Sequence, residues 1–240
     1  SMVDLIPVAP GPHGNWANLA ETIRSGRPAT PIDDDPAAFY VPLVEGTFTT
    51  MLRAATRADL MLRYSSQVAP RVLDLGAGGA PWTIAVLKAC PDGSAVVNDL
   101  PGVLAVAERM TAEHGVWDRC RFLQGDFHEV ALEDGTFDLV VLGHVCRTEG
   151  EAGARHLVER AYSALRPGGR VMLADYFVDP ERRFNRHGVL MGMTMMTSTL
   201  NGSPLSNEQV VGWLRDAGFR ALRLIEPIGF QFVYVATMPR

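Results

Sequence analysis

The chain has 240 residues, of which 47% are hydrophobic and 20% charged, and its formal net charge is −5. Acidic and basic residues are interspersed without a basic stripe, which argues against a nucleic-acid partner, and no apolar run reaches the roughly 18 residues of a membrane span. The three cysteines, Cys90, Cys120 and Cys146, fit neither a disulfide framework nor a zinc site, so we expect a cytoplasmic protein without a bound metal.

Residues 1–68 predict a helical cap or linker. The segment WANLAETIRS, residues 16–25, has the pattern of a helix, and Gly26 follows it as a stop signal. Residues 37–64 predict one or two more helices, separated from the first by the proline-rich stretch PATPIDDDP. These pieces precede a region with a different pattern.

Residues 69–240 predict one α/β domain, because strand and helix patterns alternate along them. Apolar runs predict strands at residues 71–75, 94–99, 120–126, 137–145 and 170–177, and a closing hairpin is predicted from residues 219–228 and 229–238. Helical patterns occupy residues 81–90, 101–114, 154–165, 185–200 and 206–217. Such alternation is typical of a parallel sheet covered on both faces. We therefore predict a doubly wound, mostly parallel seven-stranded sheet with a C-terminal antiparallel hairpin and an N-terminal helical cap.

Glycines and acidic residues follow the first three predicted strands, at the edge where doubly wound sheets bind ligands. Asp74, Gly76 and Gly78 follow the first strand, Asp99 ends the second and Asp126 ends the third. This clustering predicts a small-molecule site at one edge of the sheet. The alternative interpretation is that these residues only satisfy helix N-termini.

Two cofactors can be weighed against this pattern. NAD is disfavoured, since Pro81 stands where the G-x-G-x-x-G pattern requires its third glycine, and since Asp74 would lie near a polyanion. S-adenosylmethionine fits better, because it has a ribose, a sulfonium and an ammonium group but no phosphate. In this interpretation Asp99 accepts hydrogen bonds from both ribose hydroxyls, and Asp126 accepts one from the adenine amine while Phe127 packs on the ring.

Several motifs together resemble those of the class I S-adenosylmethionine-dependent methyltransferases. They are VLDLGAGGA, NDLPGV, QGDF and LRPGGRVMLAD. A narrower resemblance, to the caffeate- and hydroxyindole-type small-molecule O-methyltransferases, is carried by DLP, by GDF, by WLRDAGF at residues 213–219 and by the early NWANLAETIRSGRP. The winged-helix dimerisation domain that comes first in that family has no counterpart here. The chain is therefore expected to be truncated or a natural short form, with a homodimer possible if a native N-terminal domain exists.

The resemblance implies a Rossmann-like methyltransferase fold and S-adenosylmethionine as cofactor. It implies O-methylation of a small aromatic or polyketide-like acceptor in secondary metabolism, such as antibiotic biosynthesis. A C- or N-methyltransferase acting on a similar acceptor, and a cofactor-binding pseudo-enzyme, remain the alternatives.

The resemblance also assigns cofactor-binding residues, all of which lie near predicted strand ends. They are Asp74, Gly76 and Gly78 for the methionine portion, Asp99 and Leu100 for the ribose, Asp126 and Phe127 for the adenine, and Gly143 and His144 for the methionine end of the pocket.

The sequence departs from the family pattern at the general base. The family has a histidine in an L-H-D-W motif, whereas VLGHVCRTEG places Arg147 at that position, with Thr148 and Glu149 after it. Asp175 stands where a glutamate usually orients the base, and a second family glutamate has no clear counterpart in NGSPLS. Since arginine stays protonated in proteins, Arg147 cannot accept a proton from a phenol.

Three catalytic interpretations remain open. His144 is the base, or Arg147 anchors an acceptor carboxylate or phenolate that is already ionised, or the reaction is a C-methylation in which deprotonation follows transfer. The structural alternatives are a core His144 bonded to the backbone, and an Arg147 on a helix surface paired with Glu149 or Glu151.

A methionine-rich helix and early aromatic residues predict the acceptor pocket. Methionine side chains adapt to flat, irregular ligands, and HGVLMGMTMMTSTL has four of them: Met191, Met193, Met195 and Met196. A lid is predicted from Trp16, Phe39, Tyr40, Phe48 and Met51. The residues predicted to contact the acceptor are Trp16, Tyr40, Phe48, Met191 and Met195. A methionine stripe of this kind also fits a core face.

Overall fold

A computed structural model describes residues 16–62, 69–179, 181, 183, 185–228 and 231–240. Seven α-helices are described: α1 Leu19–Ser25, α2 Pro36–Leu62, α3 Pro81–Ala89, α4 Pro101–Glu113, α5 Gly150–Ala164, α6 Arg186–Ser198 and α7 Asn207–Asp216. The strands are β1 Arg71–Leu75, β2 Ser94–Asp99, β3 Cys120–Gln124, β4 Phe137–Gly143, β5 Leu165–Asp175, β6 Arg220–Ile228 and β7 Gln231–Thr237.

The seven strands form one sheet with the order β3-β2-β1-β4-β5-β7-β6. Strands β1 to β5 pair in parallel, whereas β7 is antiparallel to both β5 and β6. Strands β1 to β3 are added toward one edge of the sheet, and the chain then crosses back so that β4 and β5 are added on the other side of β1. The two halves of the sheet therefore meet at β1. The predicted fold class, a doubly wound seven-stranded sheet closed by an antiparallel hairpin, is confirmed.

The sheet is buried on both faces, as its nearly continuous apolar strands require. In β1, Val72 points into a core formed with α2, α3 and α4, and its neighbour Leu73 points into a core formed with α5 and α7. Both side chains are fully buried. Apolar packing on the two faces therefore holds in place the strand ends from which the candidate site is built.

Several predicted boundaries are corrected by the structure. Strand β5 begins at Leu165 rather than at residue 170, because the RPGGR segment continues to pair beside β4 through a register irregularity between Phe137 and Leu139. Helix α5 begins at Gly150 and not at residue 154. Strand β4 ends at Gly143, so the residues after it form a turn instead of extending the strand to residue 145.

The predicted helix or helices of residues 37–64 form one long helix, α2, which contains Pro42 and ends at Leu62; residues 63 and 64 lie outside the described part. It packs against α3, α4 and β6. Its apolar side chains cover the turn that follows β1, where a Cβ on Gly78 would lie 3.1 Å from Val44. Helix α2 therefore forms one wall above the carboxyl ends of the strands. No helix among the described residues is both long enough and apolar enough to cross a membrane.

Candidate active site

The turn between β1 and α3 brings backbone unusually close to its neighbours. Gly76 and Gly78 have φ of +64° and +59°, a conformation that residues with a Cβ adopt only with strain. A Cβ on Gly76 would also lie 2.4 Å from Cγ1 of Val145. Glycine is therefore required at Gly76 by both conformation and space, and the turn presents bare backbone at the sheet edge.

Asp99 fastens this turn to the end of β2. Its Oδ2 accepts a hydrogen bond from the Gly78 N–H at 2.7 Å, and its Oδ1 accepts one from the Leu100 N–H at 2.7 Å. Burial raises the pKa of Asp99 to about 6, against the opposing effect of these two donors. Each carboxylate oxygen retains a lone pair, so Asp99 can accept further hydrogen bonds from a pair of ligand hydroxyls.

Asp74 lies beneath the same turn and is fully buried. Its Oδ2 accepts a hydrogen bond from the Thr83 hydroxyl at 2.7 Å, whereas Oδ1 has no hydrogen-bond partner among the described residues. Burial raises the pKa of Asp74 to about 7, with a smaller contribution from Asp99. The unpaired Oδ1 is therefore the atom through which Asp74 could receive a cationic group.

The predicted adenine side lies next to the turn. Asp126 is exposed, and its Oδ1 accepts a hydrogen bond from the His128 N–H at 2.7 Å. The ring of Phe127 lies against Gly76, with Cδ1 at 3.2 Å from the place that a Cβ would take there. The structure thus places Asp74, Asp99 and Phe127 around one glycine turn, with Asp126 at its outer edge.

Two polar residues that the sequence reasoning passed over complete this edge. Asn98 donates through Nδ2 to the carbonyls of Leu123 and Gly125, each at 2.9 Å, and so joins β2 to the turn after β3. Thr83 holds the Asp74 carboxyl. Both are polar residues within apolar stretches, VVN and PWTIAVL, and that contrast was the available signal.

Arg147 and Asp175 form a buried ion pair between the ends of β4 and β5. Arg147 Nη1 donates to Asp175 Oδ1 at 3.0 Å and to the His144 carbonyl at 2.7 Å. Their side chains are only 13% and 2% exposed. The interpretation that Arg147 is a surface residue paired with Glu149 or Glu151 is wrong, because the turn after β4 folds its side chain inward over Asp175.

Each member of this pair stabilises the charged form of the other. Burial is the largest single influence and acts to raise the pKa of the Asp175 carboxyl, but the Arg147 guanidinium, His144 and the Tyr176 N–H together lower that pKa overall. Burial is the largest single influence on the Arg147 pKa and acts to lower it, but Asp175, Tyr176 and Tyr40 together raise that pKa overall. Arg147 Nε has no hydrogen-bond partner among the described residues, so one N–H of a buried cation remains available.

His144 follows β4 in a left-handed conformation, with φ of +65°, and its side chain is 10% exposed. Its Nδ1 lies 3.7 Å from Asp175 Oδ1, beyond hydrogen-bonding distance, and neither ring nitrogen has a hydrogen-bond partner among the described residues. Burial lowers the pKa of His144, so the ring is neutral near pH 7. The side chain is not bonded to the backbone, contrary to the structural alternative for this residue.

Gly143, the last residue of β4, leaves space for the indole of Trp82. A Cβ at this position would lie 2.7 Å from Trp82 Cδ1. The Trp82 ring in turn packs at 6.3 Å from the His144 ring, centre to centre. Gly143 therefore shapes the wall behind His144.

Two of the predicted acceptor-pocket residues lie in the core instead. Phe48 packs on Gly79 and on the ring of His114, and Met195 is 4% exposed. Both side chains lie on the faces of α2 and α6 that pack against the rest of the domain. This corrects the prediction for Phe48 and Met195.

The other predicted acceptor-pocket residues are only partly covered. Tyr40 lies near Arg147 and Thr148; burial raises the pKa of its phenol, and Arg147 opposes that effect. Trp16 donates through Nε1 to the Thr194 hydroxyl of α6 at 3.2 Å. Met191 is half-buried. Their positions leave these three as candidates for acceptor contacts.

Comparison with known proteins places the chain in a family. A curated relative, the 3-hydroxy-5-methyl-1-naphthoate 3-O-methyltransferase of Streptomyces sahachiroi, is 28% identical over 90% of this chain and 62% of its own length. The tetracenomycin polyketide synthesis 8-O-methyl transferase of Streptomyces glaucescens is 26% identical over 94% of this chain and 67% of its own length. This chain thus spans about three fifths to two thirds of these relatives.

The structure of human N-acetylserotonin methyltransferase in complex with SAM has a TM-score of 0.77 and 22% identity, over 94% of this chain and 67% of that one. This likeness confirms the fold. A family model for the O-methyltransferase domain matches residues 47–220. Because this match covers well over half of the chain, the resemblance inferred from the motifs is confirmed, and the chain belongs to the O-methyltransferase domain family.

Proposed function

We propose that the protein transfers a methyl group from S-adenosylmethionine to a hydroxyl group of a small aromatic acceptor. The observation that carries the proposal is the Asp99 carboxylate beside the glycine turn, which accepts two backbone hydrogen bonds, in a member of the O-methyltransferase domain family. The naphthoate and polyketide substrates in the names of two relatives support an aromatic acceptor and a role in secondary metabolism.

The donor site suits a cationic nucleoside without phosphate. Asp99 would accept from the ribose hydroxyls, the Oδ1 atom of Asp74 would face the cationic methionine portion, and Phe127 would pack on the adenine. Phosphate would meet two carboxyl groups here, Asp74 and Asp99, which opposes binding of NAD. When bound, S-adenosylmethionine would supply the methyl group, whose carbon is attacked in line with its bond to sulfur so that the sulfonium leaves as a thioether.

The chain's own contribution is mainly alignment and electrostatics. Oriented reactants can gain roughly 7–11 kcal/mol of the barrier, and exclusion of water strengthens that effect. Arg147 occupies the position of the family histidine, and its free Nε–H can donate to an acceptor oxygen. A cation at that place favours the ionised form of the acceptor hydroxyl, which is the form that attacks the methyl carbon.

Calorimetry tests the donor assignment. We expect S-adenosylmethionine and S-adenosylhomocysteine to bind and NAD not to bind, because of the two carboxyl groups at the turn. Turnover is then measured on a panel of phenols and naphthols. Binding of NAD alone would contradict the proposal, and donor binding without turnover on any acceptor would favour a pseudo-enzyme.

Donor affinity is expected to rise with pH. The pKa values of Asp99 and Asp74 are about 6 and about 7 in the free protein, above their usual 3.8. Their contribution to the stability of the folded protein is therefore present below about pH 4 and lost as the pH rises through 6 to 7.

A donor that binds the ionised carboxylates must displace protons below these pKa values. Affinity should fall by up to about tenfold per pH unit between pH 7 and 6, where one proton is displaced, and by up to about 100-fold per unit below pH 6, where two are displaced. Calorimetry in buffers of different ionisation enthalpy measures the proton release. An affinity that stays flat from pH 5 to pH 8 would contradict this role.

A further inference from the structure

The Arg147 guanidinium is fixed in place at the carboxyl ends of β4 and β5. Its Nη1 donates to the His144 carbonyl at 2.7 Å and to Asp175 Oδ1 at 3.0 Å. The Tyr176 ring lies against it, with 5.5 Å between Cζ and the ring centre, and the Ser203 N–H donates to the Arg147 carbonyl at 2.9 Å. The cation is therefore held at the site, while its buried Nε–H has no partner among the described residues.

A donor of this kind favours an anionic oxygen over a neutral one. A hydrogen bond from a guanidinium to a charged oxygen is about twice as strong as one between neutral groups. Little water competes for the Arg147 side chain, which is 13% exposed. Asp175 neutralises part of the charge, but it accepts from Nη1 and leaves Nε unoccupied. An acceptor oxygen at Nε should therefore bind more strongly as an oxyanion than as a hydroxyl group.

The groups around Arg147 offer no effective base for a weakly acidic hydroxyl group. The titratable side chains there come from α2, from the turn after β4 and from the end of β5, and they are Tyr40, His144, Cys146, Glu149, Asp175 and Tyr176. Burial raises the pKa of the two phenols and of the thiol, so these three groups are neutral near pH 7.

The remaining three groups are engaged or poorly suited. A proton on His144 would create a second cation beside Arg147, and neither ring nitrogen has a hydrogen-bond partner among the described residues to stabilise it. Asp175 accepts from Arg147 and from the Tyr176 N–H, at 3.0 and 2.9 Å, which makes it a weak base. Both oxygens of Glu149 have partners, the Thr148 hydroxyl at 2.7 Å and His128 Nε2 at 2.9 Å.

We propose that the acceptor reaches the site with its hydroxyl group already ionised, which restricts the substrates to acidic phenols and enols, and that Arg147 selects this anion through its Nε–H. The inference rests on the proposed function and names its substrate class. The acceptor's O–H proton passes to water before the transfer. A lone pair of the oxyanion then forms the bond to the methyl carbon, and the carbon–sulfur bond breaks with its electron pair on sulfur, which becomes a thioether. No proton is released in the site, so the family histidine has no task there.

The test measures kcat/KM against pH between 7.5 and 9 for two acceptors, with the donor saturating. 1-Naphthol is mostly neutral in this range, so its kcat/KM should rise by up to about tenfold per pH unit as its ionised fraction rises. 4-Nitro-1-naphthol is ionised throughout, and its kcat/KM should stay constant within about twofold. A protein base that titrates below this range would make both profiles flat. A flat profile for 1-naphthol would therefore overturn the proposal.

Arg147→His tests the selection directly, because it restores the family histidine beside Asp175. At pH 7.5 the ratio of kcat/KM for 1-naphthol to that for 4-nitro-1-naphthol should rise by about 100-fold, the lower end of the usual range for general base catalysis. The pH slope for 1-naphthol should also disappear. An unchanged ratio in a folded variant would show that Arg147 does not select the anion. The wild-type profiles decide the question even if this variant does not fold.

Two control variants complete the test. Arg155→His alters an exposed ion pair with Asp216, also at 3.0 Å, and should change neither the ratio nor the slope. Glu149→Gln should leave both profiles intact, and a selective loss of activity toward 1-naphthol would identify Glu149 as a base and overturn the proposal. Turnover with flat profiles would leave the methyltransferase assignment standing. A chain that binds the donor but methylates neither naphthol would refute the proposed function itself.

Discussion

Arg147→Ala is expected to lower the free energy of unfolding by about 3–5 kcal/mol, because it leaves the Asp175 carboxylate buried without its cation. Asp175 is 2% exposed, and its Oδ2 has no hydrogen-bond partner among the described residues, so water cannot easily replace the guanidinium. Urea denaturation at pH 7.5 measures the loss. The double variant Arg147→Met/Asp175→Asn should recover a large part of it, because no unpaired charge remains.

Arg155→Ala supplies the control for this expectation. Arg155 pairs with Asp216 at the same 3.0 Å, but the two side chains are 44% and 60% exposed. Exposed pairs contribute about 0–1 kcal/mol, so its loss should be small. Equal losses at the two sites would show that burial does not set the strength of the Arg147 pair.

The kinetic consequence of losing the cation can be tested with Arg147→Met, which keeps more of the side chain's volume than alanine does. In Arg147→Met, the folded fraction should retain donor affinity, since the glycine turn and Asp99 are untouched, but lose acceptor turnover. If donor affinity collapses while acceptor use stays intact, Arg147 does not act on the acceptor.

Asp99→Ala is expected to weaken donor binding by at least about 100-fold, which corresponds to about 2.7 kcal/mol. The carboxylate has two tasks: it accepts from the Gly78 and Leu100 N–H groups, and it is the acceptor proposed for the ribose hydroxyls. Charge-assisted hydrogen bonds are each worth about 1.5–3 kcal/mol, so the loss of the ligand contacts alone accounts for this size. Isothermal calorimetry with S-adenosylmethionine measures the change.

Two further variants separate the tasks of Asp99. Asp99→Asn keeps one acceptor oxygen and should hold the turn better than it holds the donor, so its thermal stability should lie nearer to wild type than its affinity does. Asp118→Ala, at an exposed position beyond the site, should change neither quantity. Affinity like that of the wild type in Asp99→Ala would refute the ribose assignment.

The sheet could be predicted from the sequence because its apolar runs and strand-end residues are local signals. The buried runs at β1, β2 and β4 read directly as strands, and the glycines and acids after β1 indicated where the candidate site is expected. The inner side of each helix could not be read in the same way. Phe48 and Met195 were assigned to the pocket by residue type, whereas their orientation depends on which faces of α2 and α6 the domain covers.

The partner of Arg147 could not be read from local sequence either. Glu149 and Glu151 are its near neighbours, yet its carboxylate partner, Asp175, lies 28 residues away. The two residues meet because β4 and β5 are adjacent parallel strands that end at the same edge of the sheet. Arg147 lies in the turn after β4, and Asp175 is the last residue of β5. A search for charged residues at the ends of neighbouring strands would have found the pair, once the strand order was known.

The contact between Val44 of α2 and the glycine turn bears on how the protein can be divided. The sequence predicts a boundary at residue 69, between a helical cap or linker and a catalytic domain. Yet helix α2, which covers the glycine turn after β1, belongs to the segment before that boundary. Cutting the chain there would leave the sheet edge bare and open to water, so the smallest unit able to shelter the reaction must include the long N-terminal helix.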